Sequence, residues 1–305
     1  MSIKNNDVTL DGLKYNLDDK DRVAALAALQ NSTGGAHFKY KSTNVAAATD
    51  LIIGKFGSDD ASDQANPYAQ SATQLFPLGT ELIYGDRKFV YVHMNGAVTA
   101  GKLLQQPPHV AHHINCTVTN EDAPADGSFS HAVGSTKISI ETNGTNLVAD
   151  EFAEGYLQVN DQEGEGQLLK IKSNPAHVHG TDPSVVITTY DPLTTAIVKN
   201  SSQVSLLKNP YKDVIVAPTA ETGAVVGATV IDMTDEYYGW AVTSGPASLL
   251  VSEAVLVLGH RVVRSDADAG GVMAASSDPL LIPIGQVMAG GVVDTEYALV
   301  LLNIK

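Results

Sequence analysis

The chain has 305 residues, of which 44% are hydrophobic, and a formal net charge of −15 from 19 basic and 34 acidic side chains. This length and composition are sufficient for about two globular domains with ordinary cores. An acidic chain without a basic stripe cannot neutralise phosphates, so nucleic-acid binding is not expected. No run approaches the roughly 18 apolar residues of a membrane span, and the polar N-terminus lacks a signal-peptide core. We therefore expect synthesis in a cytoplasm and no membrane partner.

Residues 1–75 differ from the rest in being rich in Asn, Asp, Ser and Ala. Residues 18–30 predict one short helix, because an acidic first turn precedes a narrow apolar stripe. The segment from Asn31 to Leu75 is typical of loops. The prediction for residues 1–75 is a loop-rich extended arm that contains this helix. An ordinary subdomain is the alternative.

From Phe76 onward, short alternating runs separated by turn signals predict a mainly β protein. We expect two β-sandwich or β-barrel-like modules, at residues 76–214 and 215–305, joined by a connection over residues 191–212. In the first module the predicted strands are 88–94, 114–119, 136–141, 155–160, 167–173 and 184–189. In the second they are 214–217, 224–232, 237–243, 254–258, 271–275, 282–288 and 297–303.

Residues 79–92 and 227–242 share one pattern: a glycine, a short strand, a charged turn and an aromatic strand. This indicates one β-hairpin module used twice, with no catalytic cluster inside it, and it favours a scaffold or surface-binding protein. The aromatic pairs Phe89/Tyr91 and Tyr238/Trp240 each alternate on one strand and so face one side of it. We interpret both pairs as the cores of two modules, with a ligand platform as the alternative.

The segment from Tyr297 to Lys305 is almost continuously apolar. Such a run predicts a central strand that is buried on both faces. Truncation within it should therefore be destructive.

Histidines cluster at His109, His112 and His113 and again at His177 and His179. On a strand, His177 and His179 would project from one face, and His112 or His113 could complete a metal site. Surface or interfacial histidines with satisfied hydrogen bonds are the commoner outcome of such a pattern, and we predict no metal.

Two acidic loops, residues 160–166 and 265–271, alternate carboxylates around glycines as calcium loops do, but neither has the EF-hand pattern. We interpret them as solvated hairpin turns. The single cysteine, Cys116, lies in an apolar alternating run and predicts a buried, inert thiol. No nucleophile elbow, phosphate-binding glycine loop or dinucleotide fingerprint is present. We predict that the chain is not an enzyme and binds no cofactor. We assign no catalytic, cofactor-binding or metal-binding residues.

The runs 89–102, 237–246 and 258–265 resemble tailed-bacteriophage virion proteins in their order of aromatic strand, glycine turn and Gly-x-x-Val strand. The likeness is to the small β-rich decoration, or cement, proteins of icosahedral capsids, and it covers about residues 76–110 and 215–305. The chain is longer than a typical single-module decoration protein, and residues 1–75 have no assigned counterpart. The resemblance implies a non-enzymatic virion protein on the outer capsid surface, with the phage major capsid protein as partner. It also implies a homo-oligomer, for which a trimer at a local symmetry axis is one arrangement.

Two other functions fit the sequence. A phage tail, fibre or carbohydrate-binding protein would stack sugars on aromatic rings such as Tyr91 or Trp240. A metal-dependent enzyme would use the four histidines His112, His113, His177 and His179.

Overall fold

The computed structural model describes residues 66–119, 130–182, 184–252, 256–275, 282–289 and 293–305, and the backbone of four short strands that precede them. For His112 and Ser130 the backbone alone is described. The chain divides into two compact units, Met1–Ser58 and Asp59–Lys305.

The first unit contains two small antiparallel hairpins. They are formed by β1 (Asp7–Leu10) with β2 (Leu13–Asn16) and by β3 (Lys39–Tyr40) with β4 (Thr43–Asn44). The sequence pattern did not predict these hairpins. The helix predicted over residues 18–30 lies outside the described residues.

The second unit is almost entirely β, as predicted, and it combines an open ten-stranded sheet with a closed six-stranded barrel. The chain first forms three strands of the sheet: β5 (Glu81–Tyr84), β6 (Arg87–His93) and β7 (Leu103–Gln105). A single 3₁₀ turn, Ala111–His113, then leads into the barrel.

The barrel closes in the antiparallel order β10-β13-β12-β11-β15-β8. Its strands are β8 (Cys116–Val118), β10 (Lys137–Glu141), β11 (Tyr156–Asp161), β12 (Leu168–Ser173), β13 (Val185–Thr189) and β15 (Gln203–Leu207). A separate pair is formed by β9 (Ser130–His131) and β14 (Ile197–Val198). The connection predicted over residues 191–212 is therefore wrong, because it contains β14 and the barrel strand β15.

The chain then returns to the sheet for its remaining seven strands. These are β16 (Ile215–Val216), β17 (Val225–Thr229), β18 (Tyr238–Leu250), β19 (Arg261–Arg264), β20 (Val272–Ala274), β21 (Gly285–Ala289) and β22 (Tyr297–Asn303). The predicted strand over residues 254–258 is absent from the part that is described, since residues 256–258 form no strand.

The barrel is an insertion between neighbouring strands of the sheet. The chain leaves the sheet after β7, forms the barrel and re-enters the sheet at β16. β16 pairs with β7, with Ile215 opposite Gln105 and Val216 opposite Leu104. The boundary predicted at residue 215 coincides with this return. The strands before the insertion, however, pair with the second half of the chain rather than with residues 116–207.

Both repeated blocks form antiparallel hairpins, β5 with β6 and β17 with β18. Their aromatic strands also pair with each other, so that Tyr91 lies directly opposite Trp240. Phe89, Tyr91 and Trp240 are at most 3% exposed and belong to one core. The interpretation as core is confirmed, whereas the interpretation as two separate cores is wrong.

The ten-stranded sheet curls into a half-barrel around this core. Alternate residues of β6 point to the opposite face, where Val90 and Val92 join a second, smaller cluster with Leu104 and Met233. That second cluster covers only one part of the face. The part formed by the end of β18 and by β21 and β22 is exposed, and we call it the open face.

The last strand, β22, is central in the sheet, because it pairs with β18 on one side and β21 on the other. Its residues are alternately exposed and buried. Ala298, Val300 and Leu302 enter the main core. The prediction of a central strand is confirmed, but burial on both faces is wrong, because the apolar run places Leu299 and Leu301 on the open face.

Candidate binding groove on the open face of the half-barrel

An open groove of about 620 Å³ crosses the open face at the end of β18. Its lining comes from separate segments of the chain: Tyr68, Asp86, Arg87, Thr99, Ala100, Gly101, Thr229, Val230, Asp232, Pro246, Ala247, Ser248, Tyr297 and Leu299. Pro246 and Ser248 project from β18 to this face because a bulge after Val242 shifts the alternation of the strand by one residue. The groove therefore combines two aromatic rings, two carboxylates and one guanidinium.

Tyr297 is held at one end of the groove by a close approach to Gly101. A Cβ atom at residue 101 would lie 2.5 Å from Cε1 of the Tyr297 ring, and Gly101 has a φ of +75°. Glycine is required there on both counts. The Tyr297 hydroxyl donates to the carbonyl of Ala100 at 3.3 Å, and 46% of the residue remains exposed.

Arg87 and Tyr68 form the other side of the groove. The guanidinium donates from Nη2 to the Tyr68 hydroxyl, and its Cζ lies 5.6 Å from the centre of the Tyr68 ring. It also lies 5.3 Å from the centre of the Phe89 ring. Stacking and a hydrogen bond together fix the position of the long Arg87 side chain.

Two carboxylates complete the polar part of the lining. Asp232 Oδ1 accepts the backbone N–H of Ala100 at 2.8 Å. Within the described residues neither Asp232 Oδ2 nor the Asp86 carboxylate has a hydrogen-bond partner. Acceptor oxygens are thus presented to the groove beside the donors of Arg87.

A second feature lies beside the groove and is apolar. Five exposed residues on β21, β22 and the adjoining segments form what we call the apolar patch: Val257, Leu258, Ile282, Met288 and Leu301. The turn that carries Leu258 is joined to β21 by a hydrogen bond from Gly259 N to Val287 O at 2.9 Å. Exposed apolar side chains concentrated on neighbouring segments are typical of surfaces that meet another macromolecule.

The half-barrel and the barrel meet through a charged network. His93, at the end of β6, contacts Asp213 at 2.9 Å through Nδ1 and Glu236 at 3.7 Å through Nε2. Lys208 lies 2.9 Å from Asp213 and 3.4 Å from Glu151 in the barrel. Burial raises the pKa of Asp213, but hydrogen bonds from His93 and Lys208 and the charges of neighbouring lysines outweigh it and lower that pKa to about 2.

The predicted histidines are not brought together. His109 is exposed, whereas His113 is buried with its ring 5.0 Å from that of Phe152. His177 is buried, and its nearest carboxylate oxygen, on Asp182, is 3.8 Å away.

His179 Nδ1 instead contacts the Thr142 hydroxyl at 3.2 Å. The side chain of His112 lies outside the described residues. In the portion of the chain that is described, no three His, Cys, Asp or Glu side chains could hold a metal ion.

The acidic loops use their polar groups to hold turns. Asp268 Oδ2 accepts from the Ser252 hydroxyl at 2.8 Å, and the Ser265 hydroxyl accepts two backbone N–H groups of its own turn. In the other loop, Glu163 accepts from the Ser201 hydroxyl at 2.9 Å, and Asn160 bridges to Asn115. These contacts stabilise the loops as turns.

Cys116 lies inside the barrel and is 0% exposed, as the sequence predicts. Burial raises the pKa of its thiol to about 11. A thiol of this kind is a poor nucleophile at neutral pH.

Sequence reasoning missed the groove. The two rings that it named as candidates for sugar stacking, Tyr91 and Trp240, are 2% and 3% exposed, so a sugar cannot stack on them. The exposed rings that line the groove are Tyr68 and Tyr297, which lie more than 200 positions apart in the chain. The alternation of Tyr297, Leu299 and Leu301 was the one signal that could have indicated an open face.

Comparison of the chain with models of protein families, with curated proteins and with solved structures found no match. Among the residues that the structure describes, no helix has the length and apolar character needed to cross a bilayer.

Proposed function

We propose that the chain is a non-enzymatic structural protein of a tailed-phage virion, a decoration protein that binds the outer surface of the capsid and stabilises the head. The observation that carries the proposal is the apolar patch, of which Met288 and Leu301 lie on the open face of the half-barrel. The resemblance of residues 76–110 and 215–305 to decoration proteins supplies the partner, the phage major capsid protein.

The patch supports binding to a protein surface because its side chains are large, apolar and well exposed. Ile282 is 79% exposed, Leu258 66% and Val257 49%. Covering such groups removes apolar area from water, and protein interfaces have an apolar core within a polar rim. The paired strands β21 and β22 hold Met288 and Leu301 of the patch on the sheet.

The net charge of −15 suits the outside of a shell better than its DNA-filled interior, because like charges repel. Capsids present identical sites around symmetry axes, so we propose a homo-oligomer, with a trimer as the arrangement to test first. Nucleic acid and membranes are not proposed as partners, and the proposed location is the virion surface after synthesis in the host cytoplasm.

The test mixes purified full-length protein with empty capsids of the phage that encodes it and measures binding by co-sedimentation. We expect Met288→Ser combined with Leu301→Ser to weaken binding at least about tenfold, as expected for the loss of two buried apolar anchors. Val148→Ser is the matched control, since Val148 is 71% exposed on the barrel. Equal binding by all three proteins would contradict the patch, and cryo-microscopy density confined to the tail would contradict the decoration role.

A further inference from the structure

We infer that the groove lined by Tyr68, Arg87, Asp232 and Tyr297 is a binding site for a neutral oligosaccharide. The inference does not depend on the capsid partner proposed above, because the groove and the apolar patch share no residue. It rests on the chemistry of the lining, the way in which the rings are held and the size of the groove.

The lining disfavours several ligand classes. Two carboxylates, Asp86 and Asp232, oppose one guanidinium, so an anion would meet net repulsion. An apolar ligand would desolvate these charged groups without pairing them. A metal ion would find no suitable group of three ligands among the described residues. A neutral ligand rich in hydroxyl groups meets none of these costs.

A sugar ring has an apolar face of C–H groups and a rim of hydroxyls, and the groove offers a partner for each. Tyr297 and Tyr68, each 46% exposed, supply flat apolar surfaces with little rotational freedom to lose. Tyr297 is pressed against Gly101 and tied to the Ala100 carbonyl. Because both restraints act before any ligand arrives, stacking on this ring requires little further ordering.

The polar groups of the groove can accept hydrogen bonds from, and donate hydrogen bonds to, adjacent hydroxyl groups of a bound sugar. Asp232 is fixed through Oδ1 by the Ala100 amide, and its Oδ2 is available as an acceptor. Arg87 is fixed by Tyr68 through one of its five N–H groups, which leaves further donors on the same planar group. A few fixed polar groups between apolar surfaces are typical of specific small-molecule sites.

The volume agrees with a short oligosaccharide. At about 620 Å³ the groove lies within the range of roughly 300–1,000 Å³ that small-molecule sites occupy. It is open along its length, so a chain of linked sugars could extend beyond both ends. A binding site for an internal stretch of a glycan is the arrangement that this shape favours.

The test screens the full-length protein against an array of neutral oligosaccharides built from hexoses and N-acetylhexosamines, and then measures Kd for the strongest probe by titration calorimetry. We expect saturable binding that Tyr297→Ala weakens at least about tenfold, because a stacked ring is lost. Tyr297→Phe keeps the ring and should remain within about threefold of the original Kd. Asp232→Asn keeps the Ala100 hydrogen bond but replaces the second acceptor with a donor, and should also weaken binding.

Tyr190→Ala is the matched control, because Tyr190 is 58% exposed on the barrel, in the loop that follows β13. Circular dichroism and the melting temperature of each variant separate lost binding from lost folding. Tyr68→Ala removes the one groove ring that does not lie on a strand of the sheet, so it tests the site with less risk to the fold. The absence of saturable binding to every probe would overturn the inference. Binding that survives both Tyr297→Ala and Tyr68→Ala in folded protein would overturn it as well. Neither result bears on capsid binding, which the patch variants test.

Discussion

The barrel and the half-barrel bury their apolar side chains in different ways. In the barrel, six strands close on themselves and surround one core made mostly of aliphatic side chains, among them Ile140, Leu157 and Ile187. In the half-barrel, ten strands curl around a core in which Phe89, Tyr91 and Trp240 join many aliphatic side chains, and part of the second face is exposed among the described residues. A closed barrel has no free edge, and its inward-facing side chains fill its interior. An open sheet has free edges and can leave apolar side chains exposed on one face. The groove and the patch both lie on the open element, which is where binding capacity remains.

Insertion explains how the two elements coexist in one chain. The barrel begins and ends beside β7 and β16, so it interrupts the sheet without separating paired strands. Each element then has its own core. The contacts between them include the network of His93, Lys208 and Asp213. They also include the hydrogen bonds that Glu154 accepts from Gln74 and Leu78. We therefore expect changes in one element to leave the other largely folded.

The largest effect should follow removal of residues 297–305. β22 pairs with β18 and with β21, so its loss breaks two ladders and removes Ala298, Val300 and Leu302 from the core. We expect the half-barrel to unfold and the barrel to persist as a protease-resistant fragment, detected by limited proteolysis with mass spectrometry. A soluble truncated protein whose half-barrel resists protease as the full chain does would show that β22 is dispensable.

An intermediate effect should follow Asp213→Asn at the junction. The lowered pKa means that ionised Asp213 stabilises the folded state fully above about pH 5, and that this stability is lost as the pH falls toward 2. Since solvent reaches part of the carboxylate, we expect a cost on the order of 1–2 kcal/mol at pH 7. Urea unfolding at pH 7 and pH 3 measures it.

The cost of Asp213→Asn should shrink at pH 3, because the original protein has by then begun to lose the same interaction. Asp182→Asn is a suitable control, since Asp182 is half-exposed at 47% and lies 3.8 Å from His177, away from this network. A cost at pH 3 equal to that at pH 7 would show that the carboxylate charge is not what stabilises the junction.

The sequence predicts individual strands far better than their partners. Alternation over residues 297–303 and 185–189 comes from local periodicity, and both strands are found. The pairing of Tyr91 with Trp240 joins residues about 150 positions apart, and no local pattern encodes it. β15 was missed because turn residues flank it on both sides, at Lys199 and at Asn209.

The groove was unpredictable for the same reason. It needs Arg87, Gly101, Asp232 and Tyr297 to meet, and each comes from a different strand or loop. A bulge in β18 further reverses which residues of that strand face outward. Composition and spacing carry information about segments, whereas this site exists only once the sheet has formed.

The prediction with the smallest effect on stability concerns the reactivity of thiols. It is also the most direct comparison of the closed barrel with the open half-barrel. At pH 8, a thiol with a pKa of about 11 is ionised in about one molecule in a thousand, and Cys116 is also shielded from solvent. We expect iodoacetamide to label Cys116 only as fast as the barrel opens. Ser248→Cys places a second thiol on the exposed part of β18, where it should react like a free cysteine. The two rates, measured by mass spectrometry on one protein, report the barrel and the half-barrel separately.

The same measurement on protein lacking residues 297–305 connects the two elements directly. If the barrel stands on its own core, Cys116 should stay protected in the truncated chain even though the half-barrel has lost β22. Rapid labelling of Cys116 there would mean that the sheet holds the barrel closed. Rapid labelling in the intact protein would go further and contradict the closed barrel itself, because neither burial nor the raised pKa would then be limiting the reaction.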